Sequence, residues 1–183
     1  LPSPNIRMKS AYQMIAYNKG VEEFTRANYA QSIETFKLVS RYPIETELIG
    51  RANFWIADAH YQMKNYEQAV TAYRYFLANG GSMLGALRAE AYYNIGYAYF
   101  NLKDKVQAAE AFRTYTQQSV VTDKKKLADA NMRIADSYYL SSHEEPLKND
   151  AAIEYYEKVI QAQQGFEDRA RFYQAKCYGF KDQ

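Results

Sequence analysis

Apolar and small residues recur along most of this chain at steps of three and four, the spacing that lays one apolar stripe along a helix. The stretch Ala52-Asn53-Phe54-Trp55-Ile56-Ala57-Asp58-Ala59-His60-Tyr61 lines up with Ala91-Tyr92-Tyr93-Asn94-Ile95-Gly96-Tyr97-Ala98-Tyr99-Phe100. It lines up again with Ala130-Asn131-Met132-Arg133-Ile134-Ala135-Asp136-Ser137-Tyr138-Tyr139. Weaker copies surround Gly20 and Ala175, so Gly20, Ala57, Gly96, Ala135 and Ala175 mark equivalent points at steps of 37, 39, 39 and 40 residues. Twelve residues after the first three markers comes a second small residue, Ser32, Ala69 or Ala108, and four further on an aromatic, Phe36, Tyr73 or Phe112. The fourth copy repeats this with Ala152 and Tyr156, but 17 residues after Ala135, which places five extra residues between Ser141 and Asp150.

Each copy therefore predicts a pair of helices. Short polar breaks separate the two members: Arg26-Ala27-Asn28, Lys64-Asn65 and Lys103-Asp104. Tyr42-Pro43 and Gly80-Gly81 punctuate the ends of second helices. One pair cannot bury its apolar face alone, whereas stacked neighbours share a continuous core. The expected fold is all-α, a right-handed α-α superhelix of about four and a half helix-turn-helix repeats over 1–183. The repeats run at about 11–43, 48–81, 86–120 and 125–164, with a half repeat over 166–183. The fifth copy has a first helix and no second, as an excised part of a longer chain would.

The pattern resembles the tetratricopeptide repeat, whose first helix carries an aromatic, Leu-Gly and Tyr, and whose second carries Ala and Phe before a closing Pro. Tyr92, Ile95, Gly96, Tyr99, Ala108 and Phe112 match it in the third copy; Ile56, Ala57, His60, Ala69 and Tyr73 match it in the second, with His60 replacing Tyr. The first copy departs, with Lys19 and Glu23 where Leu and Tyr are usual, and fits at Gly20, Ser32, Phe36 and Pro43. Steps of 37 to 40 exceed the usual spacing, which points to long second helices or long exits from them. Such stretched, tyrosine-rich units resemble those of bacterial cell-envelope proteins of the BamD and YbgF-like group. The resemblance implies a periplasmic or outer-membrane-associated location.

Composition changes the picture by exclusion. The 183 residues carry 23 Lys plus Arg against 21 Asp plus Glu, a net charge of +2, and give no electrostatic case for nucleic acid or an anionic membrane. No apolar run reaches the roughly 18–20 residues of a membrane span. One cysteine and two histidines leave no disulfide framework and no multi-cysteine metal site. No catalytic group, cofactor site or metal site is expected, and the chain is not expected to be an enzyme. His60 reads as a packed substitute for Tyr, His143 as part of a solvated inserted loop, and Cys177 as a small apolar residue. Asn79-Gly80-Gly81-Ser82 has no Lys partner and reads as a helix stop, not a phosphate loop. Lys124-Lys125-Lys126 reads as a solvated helix start.

The unusual number is 19 Tyr. In the repeat that this chain resembles, first helices line a concave groove through positions three before, one after and four after the marker. Three before gives Tyr17, Phe54, Tyr93, Met132 and Phe172; four after gives Phe24, Tyr61, Phe100 and Tyr139, with Gly179 breaking the row. One after gives Val21, Asp58, Tyr97, Asp136 and Lys176. The expectation is a protein–protein interaction scaffold holding an extended or helical partner segment against Tyr17, Phe24, Phe54, Asp58, Tyr61, Tyr93, Tyr97, Phe100, Met132, Asp136, Tyr139 and Phe172. Two other readings compete: a glycan-binding module stacking sugars on the same rings, and a structural spacer whose aromatic stripes are core.

Overall fold

A computed structural model describes residues 5–80, 84–142, 145 and 147–181 of the chain. Gly81, Ser82, His143, Glu144 and Pro146 lie outside the described residues. The described residues form nine α-helices and one short 3-10 turn, with no strand among them. In order they are α1 (Ile6–Thr25), α2 (Tyr29–Lys37), the turn Leu38–Arg41, α3 (Thr46–Gln62), α4 (Tyr66–Asn79), α5 (Gly85–Asn101), α6 (Lys105–Thr116), α7 (Lys124–Ser141), α8 (Lys148–Ala162) and α9 (Glu167–Lys181). The first helices of the four full copies have 17 to 20 residues and α9 of the half repeat has 15; the second helices α2, α4, α6 and α8 run from 9 to 15.

Three of the intra-pair turns are built identically. Ala27, Lys64 and Lys103 take left-handed backbone at φ 61°, 61° and 64°. In each, the N–H of that residue reaches back three residues and the next N–H reaches back five, as in Lys64 N–H to the Tyr61 carbonyl and Asn65 N–H to the His60 carbonyl. This closes the carbonyls that a helix end leaves open. The residue after each turn is Asn28, Asn65 or Asp104, and Asp104 also accepts from the Gln107 N–H at 3.1 Å. The polar dipeptides read from the sequence are therefore stop and start signals in one.

The marker residues explain the pairing. A Cβ added to Gly20 would lie 2.7 Å from the Phe36 ring, and one added to Gly96 would lie 2.8 Å from the Phe112 ring. Ala57 and Ala135 are fully buried where the second-helix aromatic is Tyr73 or Tyr156. The small residue exists so that a ring from the second helix can lie flush on the first.

The chain divides into two compact units, Leu1–Asn94 and Ile95–Gln183. In the first unit, Ala16, Phe36, Val39, Leu48 and Ala52 form one core cluster. Gln13 is fully buried beside it and ties down the loop before α3: its Nε2 donates to the Val39 and Glu45 carbonyls at 3.2 and 3.1 Å, and its Oε1 accepts the Glu45 N–H at 2.9 Å. In the second unit, Met132, Ala135, Ala152, Tyr156, Val159, Ala170 and Cys177 form the matching cluster between α7, α8 and α9.

Candidate functional site

The residues expected to face a partner sit on the first helices, and the structure sorts them into three groups. Phe54 and Met132 are core: Phe54 is 5% exposed and packs edge-on against Tyr73 and Phe76 with ring centroids 5.8 and 5.6 Å apart, and Met132 is fully buried. They correct the sequence expectation, because a side chain three residues before the marker is enclosed wherever neighbouring side chains close over it.

Asp58 and Asp136 form the second group, and both turn inward. Tyr73 donates its hydroxyl to Asp58 Oδ1 at 2.9 Å, and Asn94 Nδ2 donates to the same Tyr73 oxygen at 2.9 Å. Tyr156 donates its hydroxyl to Asp136 Oδ1 at 3.1 Å. Where the marker is Ala and the second-helix ring is Tyr, the next residue is an Asp that receives the phenol; where the marker is Gly and the ring is Phe, it is Val21 or Tyr97. Burial raises both carboxyls above the ordinary range, opposed at Asp58 by the Tyr73 hydrogen bond and at Asp136 chiefly by the Arg169 and Arg133 charges. Burial, with the neighbouring carboxylate, raises Tyr73 and Tyr156 so that both remain phenols.

The third group keeps part of its ring in solvent. In the first unit it comprises Tyr17, Phe24, Tyr61 and Tyr93, all half-buried. Tyr17 accepts the Trp55 indole N–H at 3.1 Å, Phe24 packs edge-on against Trp55 at 4.8 Å, and Tyr61 stacks edge-on with Tyr66 at 5.6 Å. In the second unit Tyr97, Phe100 and Tyr139 are half-buried and Phe172 is 56% exposed. The Arg133 guanidinium lies 5.5 Å from the Tyr97 ring centre and 5.4 Å from that of Phe100, and Lys176 Nζ lies 4.7 Å over Phe172.

Sequence reasoning missed the charged network of the second unit. Asp129 and Asp136 flank Arg133 on α7 at 3.4 Å each, Tyr97 donates its hydroxyl to Asp129, and Arg169 of α9 reaches Asp136 Oδ2 at 2.8 Å. The signal was present: acids four before and three after an Arg lie on one helix face.

His60, Cys177 and the lysine run, also singled out in the sequence, take separate places. His60 is half-buried with its Nδ1 enclosed and unpartnered, and burial together with nearby Lys37 lowers its pKa, favouring the neutral ring. Cys177 is fully buried and burial raises its thiol to about 11, so it stays a thiol. Lys124-Lys125-Lys126 form the first turn of α7, where Asp123 accepts the N–H groups of Lys125 and Lys126 at 3.0 Å. Among the described residues no three His, Cys, Asp or Glu cluster to hold a metal, and no helix is long and apolar enough to cross a membrane.

Comparison with known proteins bears on the same helices. No curated protein matches the chain. A crystal structure of MamA protein shares the fold with a TM-score of 0.63 and 18% identity, over 94% of this chain and 90% of that one. A TPR repeats protein from Bacteroides fragilis is more distant, with a TM-score of 0.49 and 17% identity over 92% of this chain and 83% of that one. The family profile described as tetratricopeptide repeat matches residues 17–83 and again 56–119, more than half of the chain. With the small markers seated under their second-helix rings, this shows that the chain belongs to the tetratricopeptide repeat family.

Proposed function

We propose that the chain is a protein-interaction scaffold that holds an extended or helical partner segment against the aromatic rings of its first helices, in a bacterial envelope assembly. Tetratricopeptide repeats generally mediate protein–protein interaction, which supports the class of function. The observation that carries the finer reading is the set of partly exposed rings within each unit: Tyr17, Phe24, Tyr61 and Tyr93 in the first, and separately Tyr97, Phe100, Tyr139 and Phe172 in the second. Rings held on rigid helices offer large contact area with few torsions left to freeze, and a tyrosine hydroxyl can stay wet beside a bound chain. The stretched, tyrosine-rich repeats support the envelope setting.

Phe54, Met132, Asp58 and Asp136 are unsuitable probes, because changing them disturbs the core. The test uses Tyr61→Ala/Tyr93→Ala for the first unit and Phe100→Ala/Phe172→Ala for the second, each checked for wild-type helical circular dichroism and melting. Immobilised proteins are exposed to a bacterial envelope extract, and retained proteins are identified by mass spectrometry. A protein held by wild type and lost by either variant supports the proposal. Identical retained sets on all columns, or none on any, overturn it.

A further inference from the structure

Between α6, α7 and the start of α8 is a cavity of about 320 Å³ lined by Lys105, Val106, Ala109, Glu110, Arg113, Ser137, Tyr138, Ser141 and Lys148. Lys105, Arg113 and Lys148 are all half-buried, so each cation has lost part of its water. Lys148 is neutralised by Glu145 at 2.7 Å. The other two have no carboxylate partner: Lys105 Nζ donates to the Leu140 carbonyl at 3.1 Å, and Arg113 donates to the Tyr138 hydroxyl and lies 5.9 Å from that ring's centre. An ammonium has three N–H donors and a guanidinium five, so most of their capacity is unspent. Ser137, 1% exposed, spends its hydroxyl on the Arg133 carbonyl at 2.8 Å. Ser141, only 6% exposed, lines the same cavity.

Partly desolvated cations without a carboxylate partner are costly, and an oxyanion relieves that cost. We propose that this cavity binds a single oxyanion, as a carboxylate or a phosphate, with Arg113 and Lys105 supplying the charge and Ser141 a hydroxyl donor. Glu110 is the acid left in the lining, and it opposes the anion.

The test is nuclear magnetic resonance on the full chain labelled with nitrogen-15, titrated separately with inorganic phosphate, acetate and, at matched ionic strength, chloride. Saturable shifts confined to residues 105–113, 137–142 and 147–149 are expected with an oxyanion and not with chloride. Phosphate saturating alone assigns a phosphate site; acetate saturating as well assigns a general carboxylate site. Arg113→Gln should weaken binding about tenfold or more, and Glu110→Gln should tighten it by about two- to fivefold. If Arg113→Gln disturbs the fold through Tyr138, Lys105→Gln reads the same charge from another helix position and should weaken binding by about threefold or more. Absence of saturation with both oxyanions, shifts equal to those from chloride, or unchanged affinity in the folded charge variants would overturn the proposal.

Discussion

Removing one oxygen atom separates the roles of the two buried Asp–Tyr pairs. Tyr73→Phe deletes a hydroxyl that sits between Asp58 Oδ1 and Asn94 Nδ2, each 2.9 Å away, in a side chain with no exposed surface. The ring stays, so no cavity opens. What is lost is one hydrogen bond to a carboxylate, worth about 1.5–3 kcal/mol, and an acceptor for Asn94. Asp58 has no Lys or Arg ion pair to fall back on among the described residues. Tyr156→Phe deletes the equivalent hydroxyl, but Asp136 keeps Arg169 at 2.8 Å and Arg133 at 3.4 Å. The expectation is a loss of about 2–3 kcal/mol for Tyr73→Phe and about 1 kcal/mol for Tyr156→Phe. For a chain of this length that is a melting shift of roughly 4–12 °C against roughly 2–4 °C.

The pH dependence follows from Asp58. Burial already raises its carboxyl, so the folded chain holds that proton more tightly than the unfolded chain does. This contribution to stability is present at low pH and lost as pH rises through the folded pKa. Without the Tyr73 donor the folded pKa climbs further, so the Tyr73→Phe penalty should be largest at neutral pH and shrink as Asp58 protonates. Urea denaturation followed by helical circular dichroism at neutral and acidic pH measures both quantities. Equal costs for the two variants, or a Tyr73→Phe penalty that grows on acidification, would refute the reasoning.

Two further outcomes test the scaffold. Gln13→Leu should cost about 2–4 kcal/mol in the same denaturation assay, because it strands the Val39 carbonyl and both backbone groups of Glu45; a loss below about 1 kcal/mol would mean that water replaces the side chain. Lys64→Gly and Lys103→Gly, at φ 61° and 64°, should each stabilise by about 0.5–1 kcal/mol, since glycine bears no Cβ penalty in left-handed backbone. Destabilisation by either would show that the lysine side chain contributes more than its backbone costs.

The repeat was legible because its rule is local and steric. Gly20 and Gly96 must be small for Phe36 and Phe112 to approach, and that requirement leaves the same mark in every copy whatever surrounds it. Turn positions were legible for the same reason: a left-handed residue followed by Asn or Asp is decided within six residues of chain. The candidate surface was less legible, because exposure is decided by neighbours that periodicity does not contain. Phe54 and Tyr93 hold the same register position, yet Phe54 is enclosed by Tyr73 and Phe76 while Tyr93 keeps part of its ring in solvent. Phe172, again in that register, is the most open of the row.

The acids show where a finer reading of the same sequence would have succeeded. Asp58 and Asp136 occur only in the copies whose second helix carries Tyr, and Val21 and Tyr97 replace them where it carries Phe. A carboxylate on an otherwise apolar helix stripe needs a donor, and the marker and the second-helix ring both change in step with it, of which only the ring, as Tyr, can donate. Matching those two columns assigns Asp58 to Tyr73 and Asp136 to Tyr156 without coordinates. It also removes both acids from the partner-facing row. What remains on that row is almost wholly aromatic, whereas the half-buried cations Lys105 and Arg113 sit on α6. If both proposals hold, substitutions at Phe100 and at Arg113 should impair binding of different chemical classes.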